Sequence, residues 1–93
     1  MILSFAGKHA ERVLRRKHVQ QFSPDLQRAA HRKLLILDAA ETLKDLMMPP
    51  GNRLESLQGT RQGQHSIRIN AQWRICFIWT QAGPEDVEIT QYH

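Results

Sequence analysis

The chain has 93 residues, 41% of them hydrophobic and 24% charged, with a formal net charge of +4 at pH 7. That is the size and mix of one small soluble domain with a thin core, because so short a chain hides only about two-thirds of its unfolded surface on folding. Nothing approaches the roughly 18 apolar residues of a membrane span, the apolar start Met1–Phe5 stops far short of a signal-peptide core, and Cys76 has no second cysteine to bridge to, so a cytoplasmic location is expected.

The positive charge is concentrated at the front. Residues 1–33 hold eight Lys/Arg against two acids, a surplus of +6, while residues 34–52 carry −2, 53–74 carry +3 and 75–93 carry −3. Met1–Phe5 alternates as a short strand does, and Ala6–Lys17 is predicted to be a helix with Arg15, Arg16 and Lys17 in its last turn, where cations favour the helix dipole. A second helix starts at Ser23-Pro24-Asp25: the serine caps, the proline suits the first helical position, and the aspartate complements the positive end. Apolar residues at 26, 30, 34, 37 and 40, with more at 35, 39, 43 and 46, predict a long helix of about six turns, ended by Pro49-Pro50-Gly51. Residues 52–63 are polar around Leu54 and Leu57, with room for one brief strand. Three strand-like runs follow, near 64–69, 73–79 and 86–91, with a turn predicted over 80–85 around Gly83-Pro84.

Neighbouring side chains of a strand point to opposite faces. Ile67 and Ile69 therefore share a face, as do Trp73, Ile75, Phe77 and Trp79, and as do Val87 and Ile89. Ser66, Arg68, Arg74, Cys76, Glu88, Thr90 and Tyr92 have the other parity. A two-residue turn at Asn70-Ala71 would send the isoleucines of the first two strands to opposite sides. A three-residue loop at 70–72 pairs 69 with 73, 68 with 74 and 67 with 75, and all the apolar residues then meet. The odd loop is expected, with the long helix over the apolar face.

The chemical consequence is that Arg68 and Arg74 become direct cross-strand neighbours. Like charges so placed repel, which a thin-cored chain tolerates best when an anion sits between them; the alternatives are that both reach into water or pair with Glu88. Tyr92 projects to the same face, and His93, of opposite parity, follows it. Cations that hold phosphates beside a ring that stacks on a base suit single-stranded nucleic acid. Cys76, between apolar neighbours, reads as a small hydrophobe rather than a nucleophile, and no Cys/His cluster has zinc spacing.

Pro50-Gly-Asn-Arg-Leu-Glu55, Gly63, Ser66-Ile-Arg-Ile-Asn70, Gln72-Trp-Arg-Ile-Cys-Phe77, Val87-Glu-Ile89 and Tyr92-His93 together resemble the HigB branch of the RelE superfamily, the toxins of bacterial toxin–antitoxin pairs. The resemblance implies an α+β fold, a small antiparallel sheet with N-terminal helices on one face, formed by residues 1–93 as one domain. It implies a ribosome-dependent endonuclease that cuts mRNA in the ribosomal A site with neither metal nor cofactor. The implied partners are a helix-turn-helix, HigA-like antitoxin, operator DNA reached through that antitoxin, and the ribosome with its mRNA. On the matching positions it implies Arg68, Arg74, Tyr92 and His93 as catalytic: the arginines clamp the scissile phosphate, the tyrosine positions a base or joins proton transfer, and the histidine serves acid–base chemistry near neutral pH. Two positions depart from several relatives. Gln58 stands where a lysine precedes the loop glycine, and Gln91 where an aspartate precedes Tyr92, which predicts a weak nuclease, with Arg61 or His65 supplying part of the missing charge. The competing expectation is an RNA- or ribosome-binding module that acts mainly as an antitoxin-bound co-repressor. Arg32 and Lys33, with the other basic residues of the helices, are further candidates for contact with ribosomal RNA.

Overall fold

Strand pairing in this molecule follows the odd loop, and the rest of the architecture follows from that. In a computed structural model, which describes residues 1–92, the chain forms helices α1 (His9–Leu14) and α2 (Pro24–Ala39), then strands β1 (Glu55–Ser56), β2 (His65–Arg68), β3 (Trp73–Thr80) and β4 (Gly83–Gln91). The strands make one antiparallel sheet in the order β1-β2-β3-β4. Arg68 lies opposite Arg74 and Ile67 opposite Ile75, as the parity argument requires. The loop is closed by Asn70, whose side-chain oxygen accepts from the backbone N–H of Gln72 at 2.8 Å and of Trp73 at 2.9 Å.

One face of the sheet carries Ile67, Ile69, Ile75, Phe77, Val87 and Ile89, all buried, and it packs against Leu26, Ala30, Leu34 and Leu37 of α2 and Ala10 and Val13 of α1. α2 begins as expected, with the Ser23 hydroxyl accepting from the Leu26 N–H. It ends earlier than predicted, after 16 residues, about four and a half turns. Ala40 is extended, and Thr42 and Asp45 form a reciprocal capping box that starts a separate 3-10 helix, Leu43–Met47. Leu46 still reaches the core from this second helix, which is why the apolar spacing reads as unbroken.

Three smaller expectations are corrected. α1 is shorter than Ala6–Lys17: Gly7 precedes it at φ 78° and Arg16 ends it at φ 60°, both left-handed, so the basic cluster lies at and beyond the end of the helix. Met1–Phe5 makes one parallel bridge, Phe5 to Val87, rather than a strand: the Leu3 N–H bonds the Pro84 carbonyl at 2.8 Å and the Ala6 N–H the Val87 carbonyl at 3.0 Å, while the Ile2 N–H bonds the Asp38 carboxylate of α2 at 2.8 Å. The turn predicted over 80–85 is tighter, since Gly83 and Pro84 already pair with Thr80 and Trp79. Gly83 is needed there: at φ +142°, a Cβ would sit 2.4 Å from the Met1 carbonyl oxygen. No described helix is long and apolar enough to cross a membrane.

Candidate functional site

Residues directly opposite in a sheet share a face, so the polar face can be read as rows. One row is Arg68, Arg74 and Thr90; the next is Glu55, Ser66, Cys76 and Glu88. Tyr92 follows on the same face one row beyond Arg74 and Thr90, just past the end of β4, its position fixed by an N–H bond to the Gln72 carbonyl at 2.8 Å. The Arg74 guanidinium carbon lies 5.2 Å from the centre of the Tyr92 ring, a cation–π contact that ties the two side chains together.

Arg53, Glu55, Arg68, Ala71 and Tyr92 line a depression of about 370 Å³ at this end of the sheet. Burial raises the Tyr92 phenol above its ordinary value of 10.0, and the Glu55 carboxylate pushes the same way against Arg68, Arg74 and Arg53. The phenol is therefore a donor throughout the physiological range, not a base. No described carboxylate pairs with Arg68 or Arg74, and Arg74 Nε is buried without a hydrogen-bond partner among the described residues. A buried donor left unmade costs on the order of 1–3 kcal/mol. An anion with oxygens on two sides, such as a phosphodiester, fits two guanidinium groups so placed.

The structure brings together Arg68, Arg74 and Tyr92; His93 lies outside the described residues. Arg61 comes to the same face from a 3-10 turn, Gly59–Arg61, and its guanidinium bonds Glu88 at 3.2 Å and Gln64 at 3.0 Å. Glu88 is thus taken by Arg61 rather than by Arg68 or Arg74. The polar face is also less open than expected at this end, for Ser66 and Cys76 are fully buried. Cys76 behaves as a small buried residue, its sulfur 3.5 Å from the Thr90 hydroxyl.

His65 goes to the other face. It pairs with Phe77, stacks on that ring at 6.2 Å between centroids, and meets the Ser56 hydroxyl at 3.2 Å. Arg32 and Lys33 sit on α2, which packs on the apolar side, and so are not part of this cluster. Arg32 is exposed, whereas Lys33 donates to the fully buried Asn52 side chain. Burial, and then the charge of Arg32, lower the Lys33 amine below its ordinary 10.5. Asn52 in turn donates to the carbonyls of Leu46 at 3.2 Å and Met48 at 3.1 Å, so this network fixes the turn that delivers Arg53. Arg53 itself is left-handed, at φ 45°.

Arg53 and Glu55 join the depression without a role expected from the sequence. The available signal was their place in the Pro50–Glu55 motif and the pairing of one brief strand with Ser66, which puts Glu55 on the polar face.

Residues 3–93 match the family described as RelE-like toxin of type II toxin-antitoxin system HigB. Toxin HigB-1 of Vibrio cholerae serotype O1 is 42% identical over 80 residues, covering 85% of this chain and 84% of that protein. An uncharacterized protein of Haemophilus influenzae is 38% identical over 53 residues, covering 57% of this chain and 52% of that one. Among solved structures, the YoeB-YefM complex from Staphylococcus aureus contains a chain that matches with a TM-score of 0.62 at 16% identity, over 100% of this chain and 98% of that one, a likeness of fold.

Proposed function

This chain belongs to the HigB family of RelE-like toxins of type II toxin–antitoxin systems, and we propose that it is a ribosome-dependent endoribonuclease that cuts mRNA in the ribosomal A site. RelE-like toxins are generally endoribonucleases. The observation that carries the finer reading is the Arg68–Arg74 cross-strand pair, with the unpartnered buried Nε of Arg74, next to an open depression that Arg68 and Tyr92 line.

The reaction is attack of a ribose 2′-hydroxyl on the adjacent phosphorus. A bond forms from the 2′-oxygen to phosphorus, and the bond from phosphorus to the 5′-oxygen breaks, leaving a 2′,3′-cyclic phosphate and a 5′-hydroxyl. Arg68 and Arg74 hold the non-bridging oxygens and offset the charge that grows on them in the crowded transition state. Glu55, the carboxylate that lines the depression, takes the 2′-hydroxyl proton. Tyr92, kept protonated by burial, returns a proton to the leaving oxygen, with His93 as its partner in proton transfer. No step calls for a metal. Gln58 and Gln91 are both exposed and neutral, so the rate is modest compared with relatives that carry charge there.

The partner is a helix-turn-helix antitoxin, through which the pair reaches operator DNA; the fold neighbour, YoeB, is itself found in a complex with YefM. The two glutamines favour a second reading, a ribosome-bound module and co-repressor that does not cut.

The test is cleavage of mRNA on programmed ribosomes by purified protein. New 5′-hydroxyl ends that appear only with ribosomes, and vanish when the codon carries 2′-deoxyribose, support the nuclease. Binding without new ends favours the second reading. A cut by Gln58→Lys, with none by the parent protein, would contradict modest activity in this chain.

A further inference from the structure

The contact between Arg61 and Glu88 lies on the RNA-facing side of the sheet, yet the chemistry above does not use it. Glu88 is opposite Cys76, one row from Arg74 and Thr90. Two positions along a strand span roughly 7 Å, so Arg61 is held about that far from the Arg74 row. Its anchor is the Gly59–Arg61 turn, which returns to the sheet through the Leu57 N–H bond to the Gln64 carbonyl at 2.9 Å. Ser66 and Cys76, in the same row as Glu88, are buried, and Ser66 Oγ has no hydrogen-bond partner among the described residues.

We infer that Arg61 is a further phosphate ligand for the mRNA strand, one that Glu88 holds in place until the strand arrives and then yields. This rests on the RNA-cleaving reading of the Arg68–Arg74 face. The bridge is suited to exchange. Its partners keep 28% and 36% of their side-chain surface exposed, so the pair is screened by water and weakly held. A phosphodiester offers a guanidinium two charged oxygens in a bidentate geometry, a stronger contact than the single Arg61 Nη1 to Glu88 Oε1 bond at 3.2 Å. Gln64, bonded to the same Arg61 nitrogen, keeps the side chain aimed at the face when Glu88 lets go. With Arg68 and Arg74 on one phosphate and Arg61 on a neighbouring one, the strand is held across two rows, which orients the scissile bond. Arg61 is then a positioning residue, and Glu88 makes its use conditional on a bound strand.

The experiment measures binding to ribosomes programmed with an mRNA whose 2′-hydroxyls are methylated, across a series of salt concentrations. Five proteins are compared: the parent, Glu88→Gln, Arg61→Ala, the double variant and an Arg68→Ala control. Each additional phosphate contact on single-stranded RNA steepens the fall of log affinity with log salt by about 0.7. Glu88→Gln is expected to bind several-fold more tightly at low salt. Arg61→Ala is expected to flatten the slope by about 0.7 and weaken binding several-fold. The double variant is expected to match Arg61→Ala, because Glu88 acts only through Arg61. If Glu88→Gln tightens binding equally with and without Arg61, Glu88 merely repels RNA and the inference is overturned. If both single variants lower the melting temperature and leave binding untouched, the bridge is structural and the inference is again overturned. Arg68→Ala serves as the control. Loss of binding there, with no effect at Arg61 or Glu88, leaves the nuclease reading standing and removes this one, whereas a parent protein that does not bind removes both.

Discussion

Two rows of the same three strands, one residue apart, have opposite lives. Ile67, Ile75 and Ile89 form a row that is almost wholly buried beneath α2; Arg68, Arg74 and Thr90 form the next row on the other face, partly open to solvent. The first row stabilises the fold and does no chemistry. The second gains little for the fold, since its two guanidinium groups repel each other, and in the proposed function it is the row that holds the phosphate. Parity alone divides the two, so a single choice of loop length sets both. The thin core of a 93-residue chain therefore positions the site through backbone register rather than through packing around the site itself.

That contrast can be broken from either side. The largest effect is expected on the apolar face. Phe77→Ala removes a fully buried ring and should cost about 3–5 kcal/mol, lowering the melting temperature by roughly 12 °C or more. Its cleavage rate per folded molecule should be unchanged, as single-turnover kinetics below the melting transition would show. The polar face should give the converse. Arg68→Ala or Arg74→Ala should lower cleavage by on the order of 10²–10³-fold, the loss expected when one charge-stabilising donor is removed, without a parallel loss of stability, because each also removes a like-charge repulsion. A thermal melt that dropped in parallel with activity would erase the distinction between the rows.

Between these lies the loop both rows share. Asn70→Ala removes the acceptor for two backbone N–H groups and should cost about 1 kcal/mol per lost bond. Both stability and cleavage should fall together, because a loosened loop disturbs the two faces at once. The smallest effect sharpens the comparison without breaking it. The chain has a single tyrosine, so phenolate absorbance reports Tyr92 alone. Its midpoint should lie above 10.0, fall with Glu55→Gln and rise with Arg68→Ala. Because the folded value is the raised one, this group's contribution to stability is fully present below 10.0 and is lost as pH rises through the folded value.

The register was legible because the hydrophobic pattern has period two and only one loop length satisfies it. The same rule places His65 with Ile67 and Ile69, and applied consistently it separates His65 from the arginines. Other features had no such signal. The break after Ala39 was hidden because Leu46 returns to the core from a second helix in step with the first; only the Thr42–Asp45 spacing marked a new start. Arg53 and Glu55 reach the face through a left-handed residue and a two-residue strand, too short for periodicity to register. The Arg61–Glu88 bridge joins positions 27 apart through an irregular turn, and nothing local predicts that contact. Sequence order thus revealed the parts of the candidate site carried by regular strands, and Arg61 by its charge alone, but missed Arg53 and Glu55, which a turn delivers.

The most direct test of the account is to map mRNA 5′ ends in bacteria expressing the parent chain, Arg68→Ala and Arg74→Ala, with growth followed in parallel. New ends within translated codons and arrested growth are expected for the parent, and neither for the two variants, although both stay folded. Persistence of the same ends in both variants would contradict it, as would arrested growth without any new ends from the parent chain.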